Sequence, residues 1–182
     1  MIILVGESAS GKTEAALCLR REYGISKAIT HTTRPMRQGE RQDVDYHFVT
    51  REQFLKKKEQ GGFVETTEYN GNLYGCSKEE VAEGKCVVVD PNGLKNFKAL
   101  KDPGVVTFHL KASEAKRIER MRKRGDPEKA IESRIENDRE CFAGVGKRTD
   151  FELDTDGLTI EQVAQKVYSL YKEELSRRKL KI

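Results

Sequence analysis

Eight residues near the start of the chain have the types and spacing of a phosphate-binding loop. They match the pattern GxxxxGK[ST] and stand between a strand-like and a helix-like segment. Glycines let backbone N–H groups turn toward phosphate oxygens, the lysine reaches the β- and γ-phosphates of a nucleoside triphosphate, and the threonine hydroxyl can bind Mg²⁺. The pattern predicts a nucleotide site, and the alternative is a glycine-rich turn without a ligand. The eight residues are Gly6, Glu7, Ser8, Ala9, Ser10, Gly11, Lys12 and Thr13.

A second group of residues suits an anionic substrate. The segment Thr32 to Val49 concentrates arginines, hydroxyls and a tyrosine. Arg34 and Arg37 can each hold phosphate oxygens through a guanidinium fork, and the Tyr46 hydroxyl can add a neutral donor. The segment therefore predicts a second phosphate site, and the alternative is a solvated basic loop.

A carboxylate follows the apolar run Cys86 to Val89. Asp90 ends this strand-like run, where a carboxylate near the metal or the substrate is expected in a phosphate-transferring protein. It also opens the sequence Asp-Pro-Asn-Gly, which favours a turn. A site carboxylate and a turn starter both remain open at this point.

The run from Arg117 to Arg124 carries five cations and one anion. Arg120 and Arg124 lie four residues apart, on one face of a predicted helix. The other cations of the run, Arg117 among them, fit an exposed basic helix. The run lacks an aromatic platform or a known nucleic-acid-binding motif, so no nucleic-acid partner is expected.

The elements that position these residues follow from apolar blocks and the helical patterns between most of them. Their alternation predicts an α/β fold with a parallel sheet flanked by helices on both faces. Residues 30–83 interrupt it with short strand signals and the turn-like pair Asn70-Gly71, which predicts an inserted mixed subdomain containing a hairpin. A basic helical excursion covers about 113–146, which leaves about 1–29, 84–112 and 147–182 for the core. The predicted strands are Met1–Val5, Lys27–Thr30, Lys85–Asp90, Val105–Leu110 and Asp150–Asp154.

Capping signals mark the expected helix starts. Thr50, Ser77 and Thr159 each begin the pattern [ST]xx[EQ], so a helix is predicted after each of them, from 78 to 83 in the case of Ser77. Asp126 precedes a proline, which predicts an N-cap followed by proline in the first helical turn.

Composition narrows the class of protein. A chain of 182 residues with a net charge of +4 suits one domain with an insertion, and the charge is too mild to indicate DNA binding by itself. No apolar run approaches the roughly 20 residues of a membrane helix, so no membrane contact and a cytoplasmic location are expected. The four cysteines form no CxxC pair, which favours reduced thiols over a zinc site or disulfides.

Residues 32–48 closely resemble the guanylate kinase signature T[ST]Rxx[KR]xx[DE]xx[GA]xxYx[FY]. Phe63-Val64-Glu65 and the hairpin that follows to Gly75 are similar to the guanine-side hairpin of the same family. With the phosphate loop, three motifs occur in order, and the resemblance extends over essentially the whole chain. It implies a P-loop NTPase core with a five-stranded parallel sheet, a GMP-binding subdomain at 30–83 and a helical lid at 113–146. The implied reaction is Mg²⁺-dependent transfer of the γ-phosphoryl group of ATP to GMP, in line.

The resemblance also implies roles for the residues that match. The eight loop residues would bind ATP, Lys12 would be catalytic, and Thr13 would hold Mg²⁺. Glu65 and Asp90 would accept the N1–H and amino groups of guanine, a pair of donors that adenine lacks. Glu40 would orient Arg34 and Arg37, or be an ordinary surface carboxylate. The catalytic arginines would be Arg34, Arg120, Arg124 and Arg134. The GMP-binding residues would be Thr30, Arg34, Arg37, Glu40, Tyr46, Glu65, Tyr74, Cys76 and Asp90.

Four positions depart from the family pattern. Glu7 replaces a proline in the phosphate loop, and Asp43 stands where glycine or alanine is usual. Cys76 replaces threonine or serine, and Val88 replaces the first of two carboxylates on its strand. These changes affect the expected affinity and rate more than the class of reaction.

Two other functions are weighed against the kinase. A binding module that holds a phosphorylated protein in the GMP cleft would not need the intact Lys12-Thr13 pair. A sugar-phosphate kinase would not need the carboxylates Glu65 and Asp90. Whether dGMP is also a substrate, and whether the chain is a monomer or a homodimer, is open from the sequence.

Overall fold

The structure is a computed structural model that describes residues 1–69 and 71–178. It contains nine strands and six helices within those residues, together with two short 3-10 turns. The strands are β1 (Ile2–Val5), β2 (Ser26–Lys27), β3 (His31–Thr32), β4 (His47–Phe48), β5 (Phe63–Tyr69), β6 (Asn72–Ser77), β7 (Lys85–Val88), β8 (Val106–Lys111) and β9 (Phe151–Asp154). The helices are α1 (Lys12–Tyr23), α2 (Arg51–Glu59), α3 (Pro91–Ala99), α4 (Glu114–Lys123), α5 (Glu128–Cys141) and α6 (Ile160–Arg177).

Five strands form a parallel sheet in the order β2-β7-β1-β8-β9. The central strand β1 is buried along its whole length, because it has neighbours on both edges and helices on both faces. The α/β class with a five-stranded parallel sheet is therefore confirmed. The loop after β1 and the residue after β7 both leave the carboxyl edge of this sheet, side by side, where ligands bind in open α/β sheets.

The two faces of β1 contribute to two apolar clusters. Ile2 and Leu4 pack with residues of α1 and α6, whereas Ile3 and Val5 pack with residues of α3. This alternation is the period of two expected for a strand. The phosphate loop is consequently anchored at its start by a strand that cannot shift without opening both clusters.

A second, mixed sheet has the order β4-β3-β6-β5. Strands β5 and β6 form the predicted antiparallel hairpin, although Asn70 of its turn lies outside the described residues. Strand β4 pairs in parallel with β3, in the register His31–His47 and Thr32–Phe48. Helix α2 packs on this sheet, where the Phe54 ring stacks on a strand phenylalanine at a centroid distance of 4.5 Å.

Helices α4 and α5 pack together beside the phosphate loop, held by a small apolar cluster. Met121, Ile131 and Ile135 are buried between them, and Ala9 of the loop packs against the same cluster. The two helices are thus attached to the phosphate loop by packing as well as by chain connection.

Two of the capping predictions are confirmed and two are wrong. Thr50 and Thr159 form reciprocal capping boxes with the glutamines three residues later. Ser77 precedes only a three-residue 3-10 turn, because the Glu80 carboxylate accepts from the Ile29 N–H and from Lys85 instead of completing a helix cap. Helix α5 begins at Glu128 with a proline at the N-cap, because Asp126 pairs with two arginines.

No helix within residues 1–69 and 71–178 combines the length and apolar content that crossing a bilayer would require.

Candidate active site

The phosphate loop has the backbone shape that its glycines predict. A side-chain carbon at Gly6 would collide with the carbonyl oxygen of Leu110, so the close approach of β8 requires glycine there. Gly11 has φ 97° and forms the N-cap of α1, whose first N–H groups point into the loop without intrahelical acceptors. The start of α1 therefore offers a positively polarised site for phosphate.

Lys12 lies across the loop that it closes. Its Nζ donates to the backbone oxygen of Glu7 at 2.7 Å and approaches the Ser10 Oγ at 3.4 Å. Burial lowers the pKa of Lys12 to about 8, while the carboxylates of Asp138 and Glu7 oppose that fall. An anionic phosphate in the loop would favour the protonated form further, since opposite charges stabilise one another.

A cavity of about 240 Å³ joins the loop to the end of α4. Lys12 and Thr13 line it from the loop side, and Arg120 and Arg124 line it from the helix side. Arg120 also donates to the Ala9 carbonyl at 3.0 Å, which fixes its guanidinium beside the loop. The arrangement brings three cations and one hydroxyl to a single place, where the developing charge of a transferring phosphoryl group could be neutralised.

Arg134 reaches this region through another residue. The Asp126 carboxylate forms salt bridges to both Arg134 and Arg124, beyond the end of α4. Its paired state explains why Asp126 is unavailable as a helix cap, and the two arginines lower the pKa of its carboxyl group. Arg134 is therefore tied to Arg124 and not to the loop itself.

A cluster of arginine and tyrosine side chains covers one end of the mixed sheet. The Arg34 guanidinium lies 5.6 Å from the centre of the Tyr46 ring, and the rings of Tyr46 and Tyr74 are 6.2 Å apart. Arg34 donates to Glu40 at 2.7 Å, and the second oxygen of Glu40 accepts the backbone N–H of Arg37 at 2.7 Å. The carboxylate thus holds the arginine segment in place, which is the orienting arrangement expected for Glu40.

The loop around Asp43 explains one departure from the family pattern. Asp43 has φ 61°, a left-handed conformation in which glycine is favoured and aspartate is tolerated better than most residues. Its carboxylate bonds to His47 at 2.6 Å and to Gln42 at 2.9 Å. These side-chain bonds give aspartate a local role at a position where small residues avoid strain.

The two carboxylates expected to recognise a base have different surroundings. Glu65 accepts the backbone N–H of Cys76 at 3.1 Å, and burial, reinforced by the nearby charge of Asp90, raises its pKa. Asp90 caps α3 by accepting the Gly93 N–H at 2.7 Å, so the turn-starting alternative describes its local role. Its charge still acts on Glu65, because it contributes to the raised pKa of that carboxyl group.

The thiol of Cys76, a residue expected to bind GMP, lies in the apolar core. The thiol is fully buried in an apolar cluster that includes Ile3 and Val87, and this burial raises its pKa to about 12. A direct contact between the thiol and a bound nucleotide is therefore not supported. Its backbone N–H, which holds Glu65, is the part of Cys76 that serves the site.

A larger cavity of about 410 Å³ lies beside α1, next to β2 and β7. Thr13 lines it from the phosphate loop, Thr30 and Tyr46 line it from the mixed sheet, and Val88 forms part of its floor. Thr30 also accepts the His47 N–H through its backbone oxygen at 2.9 Å. Residues predicted for a phosphoryl donor and for its acceptor thus border one continuous space.

Comparison with known proteins decides what kind of protein has this site. The family model for guanylate kinase matches residues 1–174. The chain belongs to the guanylate kinase family. This membership makes it a nucleoside monophosphate kinase, an ATP:GMP phosphotransferase.

Individual relatives agree with that assignment. The chain is 32% identical to a guanylate kinase of Syntrophus aciditrophicus over 183 aligned positions, which cover 97% of this chain and 87% of the relative. It is 31% identical to a guanylate kinase of Schizosaccharomyces pombe, covering 92% of this chain and 85% of the relative. A crystal structure of guanylate kinase from Anaplasma phagocytophilum aligns with a TM-score of 0.63 at 25% identity, covering 96% of this chain and 85% of that one.

One departure from the guanylate kinase pattern is accommodated behind the phosphate loop. The Glu7 carboxylate lies 3.3 Å from Nε2 of His109, and Nδ1 of His109 lies 3.0 Å from Glu152. Burial lowers the pKa of His109, but its bonds to Glu7 and Glu152 outweigh it and the net shift is upward. The carboxylate that Glu7 adds therefore has a hydrogen-bond partner in the imidazole of His109 on β8.

Sequence reasoning missed two charged residues of this guanylate kinase site. Arg117, expected on an exposed face, is buried and pairs with Asp138 of α5 at 2.7 Å. The same carboxylate accepts the Ser8 N–H of the phosphate loop at 2.8 Å. The sequence does contain a sign of this ion pair. Asp138 lies on the same helix face as Ile131 and Ile135, and a carboxylate on an apolar face needs a partner.

Proposed function

We infer that this guanylate kinase family member transfers the γ-phosphoryl group of ATP to GMP, giving ADP and GDP, by direct in-line attack of a GMP phosphate oxygen. The second pKa of a phosphate monoester is near 6, so the attacking oxygen is largely ionised at neutral pH and needs no strong general base. Catalysis then rests on positioning the two phosphates and on neutralising charge. No covalent intermediate with the protein is required.

The donor half of the proposed site is the phosphate loop. Its backbone N–H groups would hold the ATP phosphates, and Lys12 would neutralise the β- and γ-phosphates. Arg120 and Arg124, which share a cavity with Lys12, would meet the oxygens of the phosphoryl group in flight. Arg134 would contribute once Asp126 releases it, because both arginines now share that carboxylate.

The acceptor half is the arginine and tyrosine cluster with the carboxylates beside it. Arg34, Arg37, Tyr46 and Tyr74 would hold the GMP phosphate. Glu65 would accept hydrogen bonds from the guanine ring, and Asp90 and Thr30 would also face the base. We assign Glu40 and Cys76 an indirect part, Glu40 through the arginine segment and Cys76 through its backbone bond to Glu65.

The donor set near the loop suits Mg²⁺. Thr13 offers an exposed hydroxyl on both cavities, and among the described residues no cluster of three histidine, cysteine or acidic groups would form a complete metal site. Mg²⁺ commonly binds through few protein oxygens, with phosphates and water completing the shell. We propose that Thr13 holds the ion together with ATP, where the ion would neutralise phosphate charge.

The observation that carries this proposal is the shared cavity. One space of about 410 Å³ is bordered by Thr13 of the donor loop and by Thr30 and Tyr46 of the acceptor region. A phosphoryl group can pass directly between two nucleotides only where both sites open into one water-restricted space. A cytoplasmic location, and the choice between monomer and homodimer, stay predictions.

The test is a coupled assay of ADP release with ATP and Mg²⁺, offering GMP, dGMP, AMP, UMP and CMP in parallel. We expect turnover with GMP, little with AMP, and a loss of kcat on the order of 100- to 1000-fold in Lys12→Ala. A chain that binds ATP but turns over no acceptor would overturn the kinase assignment in favour of a binding module. A sugar phosphate is added as a sixth acceptor, and turnover with it but not with GMP would indicate a sugar-phosphate kinase.

A further inference from the structure

The phosphate loop is held from outside by a buried ion pair. Oδ2 of Asp138 accepts from Arg117 at 2.7 Å and from the Ser8 backbone N–H at 2.8 Å, and Oδ1 lies 3.4 Å from the Ser8 hydroxyl. Both charged side chains are only 6% exposed. A single carboxylate therefore joins α4, α5 and the first half of the loop.

Other contacts concentrate on the same part of the loop. Ala9 has φ 60°, a strained conformation for a residue with a side chain. Arg120 bonds to the Ala9 carbonyl at 3.0 Å, and the methyl group packs on the cluster around Met121. Such a conformation persists only where its surroundings enforce it, and here the surroundings are α4 and α5.

Stability by itself does not account for the ion pair. Two charges removed from water lose solvation, and replacing a buried pair with apolar side chains of similar volume is often neutral or favourable for folding. What an apolar pair would lack is a directional acceptor for the Ser8 N–H. The pair also leaves one nitrogen, Nε of Arg117, buried without a hydrogen-bond partner among the described residues.

We propose that Arg117 and Asp138 are positioning residues for ATP binding, which hold the first half of the phosphate loop through Ser8 so that the remaining N–H groups face the donor phosphates. Because Asp138 occupies the Ser8 N–H, phosphate oxygens are left with the N–H groups around Gly11, at the start of α1. The proposal rests on the ATP-binding role inferred above for this loop. Neither residue touches the reacting atoms.

Two double variants separate the hydrogen bond from the charges. Arg117→Met with Asp138→Leu removes the charges and the acceptor, whereas Arg117→Met with Asp138→Asn removes the charges and keeps an acceptor for Ser8. Neither leaves an unpaired buried charge. The matched control is Arg139→Met with Glu114→Gln, because that exposed pair also joins α5 to α4, at 2.8 Å, without touching the loop.

The readouts are the KM values for ATP and GMP, ATP binding by titration calorimetry, and the melting temperature. We expect the Met/Leu variant to raise KM for ATP about tenfold or more, since small misplacements of binding groups are costly. KM for GMP should stay within about twofold, and the Met/Asn variant should recover part of the ATP affinity. The control should match the wild type in both KM values.

Several results would contradict the proposal. If both variants keep the wild-type KM for ATP, the pair has no positioning role. Equal losses for ATP and GMP, in proportion to a lower melting temperature, would indicate a structural role only. If the Met/Leu variant fails to fold, the Met/Asn variant still decides: a higher KM for ATP with an unchanged KM for GMP supports the positioning role, and a wild-type KM for ATP contradicts it. A wild-type protein that does not bind ATP at all would instead refute the function on which the proposal rests.

Discussion

At the scale of single residues, Glu65 gives the clearest test of base selection. Its carboxylate accepts the Cys76 N–H, and burial raises its pKa. Replacing one carboxylate oxygen by an amide nitrogen turns a hydrogen-bond acceptor into a donor and leaves the side-chain volume unchanged. Glu65→Gln would present a donor to the donors of guanine. The loss of one bond to a buried polar group costs about 1 to 3 kcal/mol, which corresponds to roughly a 5- to 150-fold fall in kcat/KM for GMP.

The measurement is steady-state kinetics with GMP and AMP at saturating ATP. Glu68→Gln is the matched control, because Glu68 lies on the same strand β5 with an exposed side chain. KM for ATP should be unchanged in both variants. Equal kinetics for the Glu65 and Glu68 variants would show that base selection lies elsewhere in the cleft.

At the scale of elements, a buried histidine on β3, beside β4, should make the free energy of unfolding depend on pH. His31 is 9% exposed, its ring lies 4.6 Å from that of His47 on the neighbouring strand, and its Nδ1 has no partner in the described part of the chain. Burial, with the nearby charges of His47 and Lys57, lowers the pKa of His31 from 6.5 to about 4. The folded protein therefore holds this histidine neutral.

The sign of the effect follows from proton uptake. Below pH 6.5 the unfolded chain protonates His31 while the folded chain does not, so the free energy of unfolding falls as the pH drops from 6.5 to 4. The contribution of this one group is up to about 3 kcal/mol. His31→Phe should flatten that part of the curve, measured by urea denaturation at several pH values. Parallel curves for the two proteins would exclude His31 as the titrating group.

At the scale of the whole molecule, the two nucleotide sites should stabilise the fold separately. A ligand at 100 times its Kd adds about 2.7 kcal/mol to the free energy of unfolding, which for a chain of this size raises the melting temperature by roughly 5 to 10 °C. We expect such shifts with Mg·ATP and with GMP, measured by differential scanning calorimetry. CMP should give none.

A variant of the donor site separates the stabilisation by Mg·ATP from the stabilisation by GMP. Lys12→Ala should abolish most of the shift caused by Mg·ATP and preserve the shift caused by GMP, because the arginine and tyrosine cluster lies on the other sheet. A GMP shift that disappears with Lys12 would mean that the acceptor binds only after the donor, against the independent sites described above.

Much of this protein follows from local sequence. The phosphate loop, the five parallel strands and the capping boxes at Thr50 and Thr159 depend on residue types at short, fixed spacings, and the structure has all of them. Such features could be predicted because backbone conformation, strand alternation and helix capping are governed by near neighbours. The family signature is also a compact motif of near neighbours, and it predicts the acceptor region.

Tertiary structure alone decided where charged residues end up. Arg117 and Asp138 are 21 residues apart and meet only because α4 and α5 pack together over the loop. Asp126 pairs with two arginines instead of capping α5. The Cys76 thiol is buried in the core, while its backbone N–H donates to Glu65. A charged side chain takes whichever partner the fold brings within reach, and burial then makes that choice costly to reverse, so its final contact is not written in its neighbours along the chain.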